Sequence, residues 1–287
     1  MLPVDAQPYP LPERRDGMDL GIADAQGVVV DIGRMPIRLR TDDRSFLSVV
    51  QQRYKEFLSS EPQADIDLSF DLVWPGRVVS SADEIRVLRE GPRWRAERTD
   101  FCLEWDAQSK CGKVRQSVNP YSLDASLRIL HSLILADQGG FLLHAASAVR
   151  NGRAFLFFGP SGAGKTTMTR LAPPDVQLLS DEISYVRRDG AKYVAHGTPF
   201  SGELAKSGEN ISAPIVGFYR LVKAPANRVI PMQSADAVRA LLESVLFFAE
   251  DPHLVKLVFR SVCDLVCKMP VYRLEFVADR TAWDLIE

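Results

Sequence analysis

Apolar residues near the start of the chain recur in short, strand-length groups. Val28, Val29 and Val30 lead into Ile32, and Ile37 and Leu39 follow a Gly-Arg-Met-Pro turn. Residues 44–58 set Phe46, Val49, Val50, Tyr54, Phe57 and Leu58 on one face of a helix. Over 66–74, Ile66, Leu68, Phe70 and Leu72 alternate with Asp67, Ser69 and Asp71, which predicts a half-buried strand. Segments 85–88, 93–98, 101–105 and 113–118 continue as a strand meander. None of these carries a chemical motif.

The pattern changes at Asn119-Pro120. Ser122 reads as the N-cap of a helix that runs to Asp137, with Leu127, Leu130, Leu133 and Ile134 inward and Gly139-Gly140 ending it. Strands are expected at 141–149, 154–158, 176–179, 215–222 and 271–277, with a hairpin over 183–195 that turns at Asp189-Gly190. Helices are expected to start at Thr167 and to span 234–248 and 252–267. Trp283 and Leu285 should pack a final helix. The chain therefore divides into a Pro-rich arm (1–17), a β-rich α+β part (18–118) and an α/β part (119–287).

Composition narrows the function classes. The chain has 287 residues, and Lys plus Arg total 35 against 37 for Asp plus Glu. The resulting net charge of −2 argues against nucleic-acid binding, which normally needs a basic excess. A hydrophobic fraction of 46% and a charged fraction of 25% exclude a disordered chain. Four cysteines and no secretory leader argue against a disulfide framework. No apolar run nears the roughly 18 residues of a membrane span. The expectation is a cytoplasmic protein with no nucleic-acid and no membrane partner. Homo-oligomer formation stays open.

Candidate chemistry lies in the second part. Gly159-Pro160-Ser161-Gly162-Ala163-Gly164-Lys165-Thr166 fits G-x-x-x-x-G-K-[ST] in full, with Thr167 next. Glycines permit backbone conformations that let successive N–H groups converge on phosphate oxygens, and the following helix adds its N-terminal dipole. Lys165 would place its charge on the β- and γ-phosphates, and Thr166 would ligate Mg²⁺. Asn151-Gly152 between two apolar strands signals a type I′ hairpin. A two-residue loop sets Arg150 against Arg153 and, further along the ladder, His144 against Gly159. That register brings an imidazole to the mouth of the loop, where it could accept a proton or orient a carboxylate. The alternative is a structural histidine at a strand end. His131, His196 and His253 have no such argument and read as structural or surface residues.

A second apolar run ends in Ser180-Asp181-Glu182. Carboxylates at a strand end beyond a phosphate loop suit metal holding and proton acceptance. Either acid could take either task, and a solvated strand end is the bland alternative.

Together, Leu143-His144-Ala145, Gly159 to Thr166 and Ser180-Asp181-Glu182 resemble the catalytic domain of HPr kinase/phosphorylase. The set is also similar, more loosely, to the nucleotide half of ATP-dependent phosphoenolpyruvate carboxykinase. The resemblance spans residues 120–287. It implies an α/β P-loop kinase fold that uses ATP and Mg²⁺, with the loop on the nucleotide phosphates and His144 near the reacting centre. Asp181 would be the base and Glu182 the second acid, with metal ligation shared between them. The family usually carries two aspartates here. The family's HPr-contacting stretch is replaced by His196-Gly197-Thr198-Pro199-Phe200-Ser201-Gly202-Glu203, which argues against HPr as substrate. The pattern further resembles HPr-kinase-like proteins associated with modified peptides, including lasso peptides. For those, the implied activity is phosphorylation of a serine in a peptide or protein partner.

Glu203 and Lys206 are candidates for substrate contact, with loop residues as the equal alternative. Arg220 is a third candidate, although a surface ion pair suits it better. Cys263 and Cys267, at i and i+4, read as core rather than metal ligands. A small-metabolite kinase, an ATP-sensing module without catalysis and the reverse, phosphate-dependent reaction are the competing readings.

Overall fold

The structure, a computed structural model, describes residues 26–73, 84–202 and 207–286. The predicted arm (1–17), Glu203 and Lys206 lie outside the described residues.

The alternating segments build a first sheet. Its members are β1 (Gln26–Asp31), β2 (Pro36–Thr41), β3 (Ile66–Leu72), β4 (Arg86–Glu90), β5 (Arg93–Arg98), β6 (Phe101–Asp106) and β7 (Cys111–Gln116). Their order is β1-β2-β3-β7-β6-β5-β4, with β2, β3 and β7 parallel and the other pairs antiparallel. Period-two patterning buries one face, as in β3, where Ile66, Leu68 and Phe70 point inward. Helix α1 (Arg44–Arg53) contributes Phe46, Leu47 and Val50 to that face. The helix expected over 44–58 ends early, at Arg53, and a short 3₁₀ turn carries Phe57 into the core.

Helix α2 (Pro120–Asp137) lies against β6 and β7 and also against the second sheet. Its N-cap is Asn119, whose side chain accepts from the Tyr121 N–H, and not Ser122. Pro120 occupies the first turn, where its missing N–H costs nothing, so the expected break is the helix start itself. Leu123, Leu127, Leu130 and Leu133 share one core with Leu39, Leu68, Leu103 and Val114. Tyr185 and Phe200 from the second half join the same core.

Two polar anchors tie α2 down. Asp124 receives the Arg53 guanidinium on both oxygens and the Tyr54 hydroxyl at 2.6 Å. Ser122 donates to Asp100, which also pairs with Arg98.

The second sheet is mixed and holds nine strands among the described residues. Its centre is β8 (Phe141–Arg150), which is followed by β9 (Arg153–Phe158), α3 (Lys165–Arg170), β10 (Gln177–Ser180), β11 (Ile183–Asp189) and β12 (Lys192–His196). The chain continues through β13 (Ser212–Lys223), β14 (Arg228–Pro231), α4 (Ser234–Leu242), β15 (Val245–Leu246), α5 (Pro252–Lys268) and β16 (Val271–Phe276). Strand β9 is antiparallel to β8 and parallel to β13, and β13 is parallel to β16. Asn151 (φ 53°) and Gly152 (φ 71°) form the primed turn, with Arg150 opposite Arg153.

Three expectations need correction here. The helix expected over 234–248 stops at Leu242, because Val245 and Leu246 pair with Leu143 and Leu142 and complete the β8 ladder. The final turn is 3₁₀, and although Trp283 is buried, Leu285 is exposed. Cys263 is only half-buried and Cys267 is exposed, since Val258, Val262 and Leu265 occupy the inward face of α5. Among the described residues no helix is long and apolar enough to cross a membrane.

Candidate functional site

Strand β8 carries different partners along its two edges, and the site forms where they change. On one edge β9 pairs as far as Phe158 opposite Ala145, and the glycine loop then leaves the sheet. On the other edge β10 pairs up to Ser180 opposite Ser147, and β11 resumes at Ile183 opposite His144. Asp181 and Glu182 therefore bridge two collinear strands, and the Ala145 N–H donates to the Glu182 carbonyl at 3.0 Å. Phe158, Ala145 and Glu182 lie abreast. The glycine loop and the acidic pair emerge on either side of a strand that carries only alanine between them.

The loop has the backbone its sequence requires. Gly159 (φ 147°), Gly162 (φ 75°) and Gly164 (φ 113°) occupy a region that other residues rarely adopt. A Cβ on Gly164 would also lie 2.4 Å from the Phe276 ring. Lys165 is buried and bends back over the loop, donating to the Gly159 carbonyl at 2.9 Å and the Pro160 carbonyl at 3.3 Å. Ser161 and Gly162 are exposed, and Thr166 and Thr167 are half-buried. Helix α3 has only six residues, so the macrodipole expected to support the loop is short.

The expected His144–Gly159 pair does not form: the β8–β9 ladder ends at Ala145–Phe158, and the His144 N–H donates instead to the Ser244 carbonyl at 2.7 Å, because β15 takes up that edge of β8. Burial lowers its pKa from the ordinary 6.5, and the cationic Lys165 and Arg128 lower it further. Asp181 is buried and accepts the Gly202 N–H at 2.9 Å. Burial raises the Glu182 carboxyl above its usual range. Arg128 opposes that shift, Asp181 adds to it, and Lys165 opposes it again. Two carboxylates so close repel each other, and a divalent cation relieves such repulsion. Among the described residues no cluster of three or more His, Cys, Asp or Glu side chains could hold a metal ion. Mg²⁺ normally takes one or two carboxylates and completes its shell with phosphate and water, so Asp181 and Glu182, which meet beneath Gly202, suit it as a partial set.

The loop after β12 closes over the acids. The Thr198 hydroxyl donates to the Ile183 carbonyl at 2.8 Å, and the Thr198 N–H donates to the Leu179 carbonyl at 3.0 Å. Gly197 and Gly208 allow the tight approach, since a Cβ on either would lie under 2 Å from a backbone oxygen. Phe200 is fully buried beneath this turn.

Of the predicted site residues, the structure brings together His144, the glycine loop with Lys165, Asp181 and Glu182. Arg220 stands opposite Phe158 on β13, beside the start of the glycine loop, and its guanidinium lies 3.8 Å from Glu243 in an ion pair. The sequence reading missed Arg128. This half-buried residue of α2 holds its guanidinium 5.1 Å above the Phe200 ring. A single charge flanked by Leu127, Ile129 and Leu130 was the available signal.

Comparison with known proteins adds a family. A family model described as SynChlorMet cassette protein ScmC matches residues 116–287, and the chain belongs to that family. No curated protein matches the chain. Among solved structures, the chain is similar to the HPr(Ser) kinase/phosphatase from Coxiella burnetii at 12% identity. That match covers 50% of this chain and 90% of that one, with a TM-score of 0.27.

Proposed function

We propose that this chain transfers the γ-phosphoryl group of ATP to a hydroxyl, namely a serine of a peptide or protein. The observation that carries this reading is the alignment of Phe158, Ala145 and Glu182. It sets a glycine-rich loop and a carboxylate pair, Asp181 buried and Glu182 half-buried, on two edges of one strand, with His144 beside them. Phosphoryl transfer needs little beyond positioning and charge balance, and this arrangement supplies both.

The loop amides and Lys165 hold the nucleotide phosphates. Lys165 exchanges its two carbonyl partners for phosphate oxygens. The acceptor oxygen attacks the γ-phosphorus, the bond to the bridging oxygen breaks, and that oxygen leaves with ADP. Asp181, fixed by the Gly202 N–H, takes the acceptor proton. His144, kept neutral by burial and two cations, can orient that carboxylate. Mg²⁺, when bound by Asp181, Glu182 and Thr166, supplies charge neutralisation on the phosphates. A peptide acceptor is supported by the first sheet, where β4 has one described neighbour, β5, and so offers an open edge to an extended chain, whereas β1 is bridged on its outer side by Leu58 and Ser59.

The test is transfer from labelled ATP and Mg²⁺ to a panel of serine peptides and small hydroxylated metabolites, with Lys165→Ala and Asp181→Asn alongside. Labelled peptide that disappears in both variants is the expected result. Label on metabolites alone would replace the peptide by a small molecule. ATP binding without transfer to any member of the panel would overturn the kinase reading in favour of a sensor.

A further inference from the structure

Among the described residues, Arg128 is a site cation that the glycine loop does not explain. It reaches the site from α2, and its ring contact is with Phe200, in the segment that closes over Asp181 and Glu182. Its Nε is buried and has no hydrogen-bond partner among the described residues. Buried guanidinium nitrogens are ordinarily paired, so this one is conspicuous.

The reason lies one helical turn away. Asp124 precedes Arg128 by four residues, the spacing at which an acid and an arginine normally pair on a helix. Asp124 instead takes the fork of Arg53 on its two oxygens and the Tyr54 hydroxyl on one of them. The local carboxylate is thereby occupied and Arg128 is left to the site. A guanidinium over an aromatic face does not spend its N–H groups on that ring, and its terminal nitrogens suit capture of a carboxylate.

We propose that Arg128 binds a carboxylate of the acceptor beside the reacting hydroxyl, so that the preferred acceptor is a serine flanked by an acidic residue. This rests on the kinase reading for the word acceptor, although the binding step itself does not require transfer. Lys165 serves the nucleotide side, where it donates to the Gly159 and Pro160 carbonyls. Arg128 serves the side of the acidic pair. An acidic peptide would otherwise be repelled by Asp181 and Glu182, and Arg128 offsets that repulsion. It is a specificity and positioning residue and takes no proton.

The experiment measures binding of two fluorescent peptides to the full chain with Mg²⁺ and ADP, which prevents turnover. The peptides share one sequence around a single serine and differ only in an adjacent Asp or Asn. Wild type should bind the Asp peptide about tenfold or more tightly, the scale of a hydrogen-bonded charge pair. In Arg128→Gln the ratio should fall to about one, and Arg128→Lys should restore part of it, with ATP affinity unchanged in both. Equal binding of the two peptides by wild type overturns the proposal without any variant, as does binding of neither. A ratio preserved in Arg128→Gln also overturns it, as does a loss of ATP affinity, which would move Arg128 to the nucleotide side. Labelled-ATP assays with the same peptides keep the two readings apart. Discrimination without transfer would retain this proposal and discard the kinase, whereas transfer without discrimination would do the reverse.

Discussion

Gly202 sits directly over Asp181, with its N–H 2.9 Å from the carboxylate Oδ1. The approach leaves no room for a side chain. A Cβ at Gly202 would lie 2.9 Å from both Cβ and Oε2 of Glu182, and 3.2 Å from Asp181 Oδ2. Gly202→Ala should therefore displace both acids while leaving the sheets intact. The expected outcome is a fall in transfer of about a hundredfold, the scale of an ångström-sized misplacement of a reacting group. Steady-state kinetics beside a thermal melt would check it. Full activity in the variant would show that the acids need no such cover.

Lys165 donates to two carbonyls of its own loop and holds that loop in shape. Lys165→Ala should weaken ATP binding by roughly tenfold to a hundredfold, the worth of a charge-assisted contact. Calorimetric titration with ATP and Mg²⁺ measures this directly. An unchanged affinity would remove Lys165 from the nucleotide site.

The Asp124 anchor has its own signature. The Asp124 side chain is 4% exposed, so losing its main partner strands a buried charge. Arg53→Met should cost about 3–5 kcal/mol in urea unfolding, as a broken buried pair does. Tyr54→Phe should cost about 1 kcal/mol, the share of one hydrogen bond. Replacing both Arg53 and Asp124 with apolar residues should recover most of the loss. If the double variant is no better than Arg53→Met alone, the stranded charge is not the cause.

His131 is fully buried on α2, its Nδ1 lies 3.4 Å from the Tyr185 hydroxyl, and burial pushes its pKa down to about 3. His196, buried beside the same tyrosine, is lowered to about 4. The unfolded chain protonates both near pH 6.5 and the folded chain does not. Acidification below about pH 6.5 should therefore draw the chain toward the unfolded state. The slope is about 1.4 kcal/mol per pH unit for each histidine, and it persists until the folded pKa is reached. Urea midpoints at pH 7, 6 and 5 should fall in wild type and fall less steeply in His131→Gln. Parallel pH dependence of the two proteins would count against a buried neutral His131.

Much of the fold was legible because it depends on residues adjacent in the chain. Asn151-Gly152 specifies a two-residue primed turn, and the turn then dictates every pair from Arg150–Arg153 to Ala145–Phe158. The three loop glycines announce a backbone only they can adopt. Alternation in Ile66–Leu72 announces a one-faced strand. The errors fall where a distant partner competes with local propensity. Val245 and Leu246 have helix neighbours in sequence yet belong to the β8 ladder, about a hundred residues away in the chain.

The site divides along the same line. The sequence by itself determined the glycine-rich loop, the hairpin that leads into it and the acidic pair beyond a strand end, since each is a short-range pattern with a direct steric or electrostatic cause; the partner of His144, which is Ser244 and not Gly159, came with β15. Only the tertiary structure decided that Glu182 lies abreast of Phe158, which depends on β9 and β10 choosing opposite edges of β8. It also decided the fate of Arg128. Whether Asp124 pairs with its helical neighbour or with Arg53, 71 residues earlier, is settled by how α1 packs on α2. Packing buries Asp124 where Arg53 and Tyr54 can reach it, and so leaves Arg128 without that helix partner, over the Phe200 ring.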